Sequence, residues 1–148
     1  MYNEGDIVVN LELKTIDGET IKTGQNKWIV IYFYPKDDTP GCTRQAQNFS
    51  NLAEEFNKLN VEIIGISRDG ENSHKKFIDK YNLKIKLVSD KDRKIASLFG
   101  VEGKTFFSRD TIIIDPIGKI VKIWRKVSAS ENPYQVLEFI KKHSSNNK

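Results

Sequence analysis

Residues 27–42 read KWIVIYFYPKDDTPGC, and this segment predicts the fold of the chain. Residues 27–34 are apolar, aromatic or β-branched at almost every position, as in a strand buried on both faces. Pro35 ends that strand, because proline lacks the amide hydrogen that a sheet requires. From Thr43 to Leu59, apolar residues recur every three or four positions, as in an amphipathic helix, and Cys42 stands at the head of this apolar stripe. The segment therefore predicts a buried central strand, a loop and a helix with a cysteine in its first turn.

The regions on either side of this segment extend the same architecture. An Asp17-Gly18 turn between alternating apolar and polar residues predicts a small antiparallel hairpin over residues 11–22. Further strands are predicted at 61–67, 86–88, 111–114 and 119–124, and further helices at 72–81, 91–99 and 134–140. The β-α-β alternation is typical of a parallel core. We therefore predict an α/β domain: a mixed central sheet with helices on both faces and an N-terminal β-hairpin extension.

Length and composition predict one domain in a reducing compartment. The chain has 148 residues, a size at which a single domain over 1–148 is expected, with residues 144–148 as a frayed tail. The longest apolar run, residues 28–34, is far shorter than the roughly 20 residues of a membrane-spanning helix. Residues 1–6 lack the basic and apolar regions of a secretory signal. We expect a cytoplasmic protein without a membrane partner.

Charge is distributed unevenly along the chain. The net charge of residues 1–74 is −5 and that of residues 75–148 is +9. Such an asymmetry can mark a nucleic-acid surface. However, no basic run exceeds two residues, and each run lies among apolar positions that require burial. We interpret these charges as solvated faces and expect no nucleic-acid partner.

Cys42 is the only cysteine, which excludes an internal disulfide, a CxxC redox pair and a cysteine-rich zinc site. One interpretation is a small buried residue that packs with Ala46 and Phe49. The other is a nucleophile, because a helix N-terminus favours the reactive thiolate. Thr39, three residues earlier, is placed to present its hydroxyl to the molecule that the sulfur attacks, and Pro35 and Pro40 restrict the loop. This context favours the nucleophile.

The pattern Pro35-x-x-x-Thr39-x-x-Cys42 resembles the active-site signature of the peroxiredoxins. The fuller string FYPKDDTPGCT at 33–43 is similar to the bacterioferritin-comigratory-protein, or PrxQ, subfamily, and shorter matches extend the resemblance over nearly the whole chain. The resemblance implies a thioredoxin-like fold. It also implies a peroxidase in which the Cys42 thiolate attacks the O–O bond of hydrogen peroxide or an organic hydroperoxide and becomes a sulfenic acid. No cofactor and no metal are implied.

The same resemblance assigns roles to the other motif residues. Pro35 shields the sulfur from bulk water, and Thr39 hydrogen-bonds the peroxide. Arg109, just before a predicted strand, falls where the family keeps an arginine that fixes the peroxide and favours the thiolate. A positive charge suits this chemistry, because negative charge moves from sulfur to the departing oxygen. The alternative is a surface ion pair between Arg109 and Asp110 or Asp115.

Gln47 stands where many members of this subfamily carry a second cysteine. The resemblance therefore implies a one-cysteine variant, in which an external thiol such as thioredoxin, glutaredoxin or glutathione regenerates Cys42. A monomer or weak dimer is expected. The alternative function is a peroxide sensor that passes its oxidation to a partner protein by disulfide exchange.

Four other residues invite a functional interpretation that the sequence does not support. His74 and His143 lack partners at metal-ligand spacing, and we expect both to be solvated surface residues. Phe106 and Phe107 precede a predicted strand and are expected in the core, the alternative being an apolar mouth for organic hydroperoxides.

Overall fold

A computed structural model describes residues 1–146 of the chain. The strands are β1 (Glu12–Lys14), β2 (Thr20–Lys22), β3 (Trp28–Phe33), β4 (Val61–Ser67), β5 (Lys86–Ser89), β6 (Thr111–Ile114) and β7 (Ile120–Trp124). The helices are α1 (Pro40–Asn51), α2 (Ala53–Lys58), α3 (Glu71–Tyr81), α4 (Lys94–Leu98) and α5 (Asn132–Asn146).

The central sheet has five strands in the order β5-β4-β3-β6-β7. The pairs β3–β4 and β4–β5 are parallel, and β3–β6 and β6–β7 are antiparallel. Parallel neighbours need a crossover connection, which α1 and α2 supply for the first pair and α3 for the second. β1 and β2 form the separate N-terminal hairpin. The predicted mixed sheet with an N-terminal hairpin is confirmed.

Strand β3 lies in the middle of the sheet and separates two apolar cores. Val30 and Tyr32 point to a core that contains Phe49 of α1 and side chains of α2, α3 and α5. Ile29 and Ile31 point to the other core, which is covered by α4 and the hairpin. Because both faces are covered, every residue of β3 is buried. Helices therefore lie on both faces, as predicted.

The single helix predicted up to Leu59 is wrong, because the structure has two. α1 begins earlier, at Pro40, and breaks at Leu52, whose backbone lies near φ −97° and ψ 8°. The Leu52 amide bonds to the carbonyl of Phe49, three residues back, at 3.1 Å. That tighter turn separates α1 from α2 while both keep their apolar sides on the same core.

The C-terminal helix is longer than predicted. α5 continues through residues 144–146, so the frayed tail expected at 144–148 is helical there, and residues 147 and 148 lie outside the described residues. Within the described residues, no helix is long and apolar enough to cross a membrane.

Candidate active site

Cys42 lies in the first turn of α1, after a loop at the carboxyl end of β3, which we call the active-site loop (residues 34–39). Thr39 has extended backbone angles and precedes α1, and Pro40 occupies its first position. The Thr43 amide is bonded to the Thr39 carbonyl at 2.8 Å, and the amides of Gly41 and Cys42 precede it. These amides and the helix dipole favour negative charge on the sulfur. The Cys42 residue is only 1% exposed.

Arg109 contacts this sulfur. Its Nη2 lies 3.6 Å from Cys42 Sγ, and its Nη1 donates to Gln45 Oε1 at 2.8 Å. The alternative ion pair with Asp110 is absent, because Asp110 pairs with Arg125 at 2.9 Å. Asp115 instead accepts backbone amides of its own turn. The structure therefore brings Arg109 and Cys42 together.

Gln45 holds Arg109 in place and was not among the site residues predicted from the sequence. This side chain is fully buried, and its Nε2 donates to Asn132 Oδ1 at 3.2 Å. Asn132, also buried, accepts a second bond from the Thr111 hydroxyl at 2.8 Å. The signal was available: Gln45 is a polar residue three positions after Cys42, among the apolar residues of the helix stripe. Such a residue is buried only when its amide finds partners.

Gly41 leaves room for the guanidinium. A β-carbon at this position would lie 3.1 Å from Arg109 Nη2 and 3.8 Å from the β-carbon of Ala129. The glycine of the Pro-Gly-Cys sequence therefore lets Arg109 approach the start of α1. Its backbone freedom is not the reason, since no positive φ is recorded at this residue.

Thr39 and Pro35 lie in the active-site loop. The Thr39 hydroxyl donates to the Lys36 carbonyl at 2.9 Å, which fixes the rotamer while its oxygen retains lone pairs for a further donor. Pro35 is half-buried and lines a surface groove together with Phe106. Between them, Asp38 has φ of +59°, a left-handed conformation that is uncommon for a residue other than glycine.

The two adjacent phenylalanines separate. Phe107 is 1% exposed and packs edge-on against Phe33, with ring centroids 5.8 Å apart, as the core interpretation predicted. Phe106 is 55% exposed, so the core prediction is wrong for this residue. The chain bends at residues 104–106, so the two neighbouring side chains have different environments.

Tyr32 of β3 lies in the same buried core as Cys42. Its ring stacks on Phe49 with centroids 4.7 Å apart, and its buried hydroxyl has no hydrogen-bond partner among the described residues. Burial raises the pKa of Tyr32 well above its usual value, and the charge of Cys42 adds to this effect. Tyr32 therefore remains a neutral phenol throughout the range in which the thiolate reacts.

The prediction that His74 is a solvated surface residue is wrong. His74 is fully buried on α3 and contacts Asp37 of the active-site loop, with Nδ1 2.7 Å from Oδ2. His143 is half-buried, stacked on Phe139, and its Nδ1 lies 3.0 Å from the Phe139 carbonyl. The sequence reveals neither environment, because His74 is followed by two lysines and its partner is 37 residues away.

Asp37, Asp69 and His74 are the one group among the described residues with metal-ligand atoms close together, within 4.8 Å of one another. Their donor and acceptor atoms bond to one another and to nearby protein groups. Asp69 accepts the Ser67 hydroxyl at 2.6 Å and the Asp37 amide at 2.9 Å, and His74 faces Asp37. A metal would have to displace these bonds, so we interpret the group as a hydrogen-bond cluster.

Comparison with known proteins places this geometry in a family. Residues 5–123 match the AhpC/TSA family. Peroxiredoxin Bcp of Bacillus subtilis is 40% identical over 147 residues, which cover 93% of this chain and 94% of that protein. The chain belongs to the peroxiredoxins of the AhpC/TSA family. It is a thiol-dependent peroxidase of the Bcp/PrxQ type.

Solved peroxiredoxin structures share its fold. A cysteine-to-serine mutant of Xylella fastidiosa PrxQ superimposes with a TM-score of 0.88 at 32% identity, covering 97% of this chain and 98% of that one. The bacterioferritin comigratory protein of Xanthomonas campestris, studied for alkyl peroxide reduction, gives 0.85 at 32% identity, with 95% and 99% covered. The thioredoxin-like fold and the Bcp/PrxQ resemblance are confirmed, and the single cysteine of this peroxiredoxin fits a one-cysteine variant.

Proposed function

We propose that Cys42 is the peroxidatic residue of this peroxiredoxin and that Arg109, Thr39 and Pro35 act on the same peroxide. The observation that carries the proposal is the 3.6 Å contact between Arg109 Nη2 and Cys42 Sγ at the start of α1. A guanidinium and a helix N-terminus that converge on one sulfur stabilise its thiolate and the charge that leaves it.

In the first half-reaction, the thiolate attacks one oxygen of the hydroperoxide. The O–O bond breaks, an S–O bond forms, and the departing alkoxide or hydroxide takes up a proton to give an alcohol or water. Cysteine is oxidised to sulfenic acid and the peroxide is reduced. Arg109 orients the peroxide and stabilises the departing oxygen, the Thr39 oxygen accepts the peroxide hydrogen, and Pro35 restricts access of water.

In the second half-reaction, an external thiol regenerates Cys42, because this chain has no second cysteine. The thiol attacks the sulfenic sulfur, giving a mixed disulfide and water. A second thiol then releases the Cys42 thiol and leaves as a disulfide. Thioredoxin, glutaredoxin and glutathione are the candidate reductants. We propose a cytoplasmic, single-domain monomer or weak dimer that uses no metal and no cofactor.

Single-turnover oxidation tests the proposal. Reduced protein is mixed with hydrogen peroxide, and sulfenic acid on Cys42 is quantified by mass spectrometry after dimedone trapping. We expect oxidation to be orders of magnitude faster than that of free cysteine and absent in Cys42→Ser. A rate equal to that of free cysteine contradicts the proposal. Repeated peroxide consumption with an added thiol supports an enzyme, whereas one peroxide per chain indicates the alternative sensor.

A further inference from the structure

His74 is joined to the active-site loop by two well-defined nitrogen contacts. Its Nε2 lies 3.1 Å from the carbonyl oxygen of Val88, and its Nδ1 lies 2.7 Å from Asp37 Oδ2. A carbonyl oxygen only accepts, so Nε2 carries a hydrogen. A second hydrogen must lie between Nδ1 and Oδ2, because two acceptors do not approach to 2.7 Å.

Two hydroxyl groups also bind the carboxyl group of Asp37. The Tyr34 hydroxyl lies 2.6 Å from Oδ1 and the Ser73 hydroxyl 2.8 Å from Oδ2, and both donate. Burial, followed by the charge of Asp37, raises the pKa of Tyr34 well above its usual value, so Tyr34 keeps its proton. Asp37 therefore joins His74, Tyr34 and Ser73 in one hydrogen-bond cluster.

Further bonds tie the same loop to neighbouring elements. The Asp37 amide donates to Asp69 Oδ2 at 2.9 Å, just beyond the end of β4. The next residue, Asp38, is held in its left-handed conformation by Lys80, at 2.7 Å, and by the Tyr81 hydroxyl. Both aspartates of the loop therefore attach to α3, and the loop leads directly into Thr39 and α1.

Because Cys42 is buried, the attachment of the active-site loop to α3 affects which reactants can reach the sulfur. With the residue only 1% exposed, a small hydroperoxide can approach beside Arg109. An external thiol must approach the sulfur in line with the S–O bond of the sulfenic acid. The molecule that carries this thiol is larger than a small hydroperoxide. The attached loop therefore suits the first half-reaction, and the second requires the loop to move away from α3.

We propose that His74 is a positioning residue of the peroxidase: its hydrogen bond with Asp37 favours the closed active-site loop, in which Cys42 meets peroxide, over an open loop that admits the reducing thiol. The proposal rests on the proposed function of Cys42. By this proposal, a residue of α3 determines how strongly the active-site loop favours the first half-reaction over the second.

The test compares two rate constants in the full-length protein carrying His74→Asn. One is the oxidation of Cys42 by hydrogen peroxide, and the other is the reaction of the resulting sulfenic acid with 2-mercaptoethanol. We expect the ratio of the first to the second to fall at least tenfold while the far-ultraviolet circular dichroism stays that of the wild type. The ratio, unlike either rate constant alone, does not change when a substitution slows both reactions by the same factor.

His143→Asn is the matched control, because His143 lies on α5 outside the cluster. Its ratio should equal that of the wild type. Ser73→Ala removes one hydroxyl donor from Asp37 and should lower the ratio in the same direction by a smaller factor, which keeps the test available if His74→Asn does not fold. An unchanged or higher ratio in the folded variants overturns the proposal. A wild-type oxidation rate equal to that of free cysteine would instead overturn the function of Cys42.

Discussion

Gln45 holds the guanidinium of Arg109 one turn after the cysteine that the guanidinium faces: Nη1 donates to Oε1 at 2.8 Å, while Nη2 lies 3.6 Å from the sulfur. A neutral amide fixes the geometry without cancelling the charge. Among the described residues, no carboxylate lies within ion-pair distance of Arg109. The positive charge of Arg109 is therefore directed at the sulfur and at the peroxide that approaches it.

Arg109→Ala should slow the oxidation of Cys42 by hydrogen peroxide by about 10²- to 10³-fold, the usual effect of removing one preorganised donor from a developing charge. Stopped-flow fluorescence of Trp28 and Trp124 measures the rate. Arg44→Ala removes an exposed cation from the same helix and should leave the rate within about twofold, as expected of a solvated charge. Equal rates for wild type and Arg109→Ala would assign the cationic role elsewhere.

Gln45→Ala should lower the same rate constant by roughly tenfold or more, because Arg109 loses the partner that orients it. Gln47→Ala is the matched control, since Gln47 lies two residues further along α1 and is exposed. Competition for peroxide against a reference peroxidase measures both variants. If both glutamines prove equivalent, the hydrogen bond to Arg109 has no kinetic role.

Gln47→Cys should give an internal disulfide with Cys42 after one equivalent of peroxide. Residues five apart in a helix are separated by about 7.5 Å along its axis, whereas the α-carbons of a disulfide lie within about 7 Å. The bond therefore requires the first turn of α1 to unwind. Mass spectrometry should show the loss of two hydrogens, and Gln47→Ser should show none. A stable sulfenic acid in Gln47→Cys would mean that α1 stays wound.

Lys86→Met should reduce the free energy of unfolding at pH 7 by about 1 kcal/mol, because the two ion pairs that it breaks, with Asp17 and Glu19, are partly exposed. A hydrogen bond from Lys86 is the main cause that lowers the pKa of Asp17 from 3.8 to about 2. A carboxyl group whose pKa is lowered in the folded protein stabilises the fold at pH values above its unfolded-state pKa. This stabilisation is lost as the pH falls through the folded-state pKa.

The difference between wild type and Lys86→Met should accordingly shrink between about pH 4 and pH 2. Urea unfolding at several pH values measures it. Lys84→Met is the control, since the Lys84 ammonium has no ion pair among the described residues and donates to the side-chain carbonyl of Asn82 at 3.4 Å. A difference that persists undiminished at pH 2 would mean that packing of the Lys86 side chain, and not its charge, stabilises the protein.

The sheet was predictable because burial on two faces leaves a direct trace in the sequence. β4 and β6 have the predicted bounds of 61–67 and 111–114, and β3 differs by one residue at each end. Cys42 was predictable from its place in the first turn of a helix after Pro35 and Thr39, whereas Arg109 was predictable only through the family resemblance and its position before β6. Nothing local links two residues 67 positions apart.

The buried polar contacts were not predictable in the same way. His74 is flanked by polar residues on one turn of α3, and its burial depends on Asp37 and Val88, which reach it from two other parts of the chain. The break at Leu52 involves neither proline nor glycine, the residues that usually mark a helix end. Tertiary contacts, rather than local preference, decide both features.

Because Cys42 is almost completely buried, the size of a reactant decides whether it can reach the sulfur of the reduced enzyme. Large electrophiles and disulfides cannot align with a sulfur enclosed by α1 and Arg109, although the thiolate is the form of the sulfur that attacks them. The reduced protein should therefore persist in a cellular pool of mixed thiols and disulfides without becoming thiolated. In such a pool, the first covalent change of the protein is then the oxidation of Cys42 by peroxide.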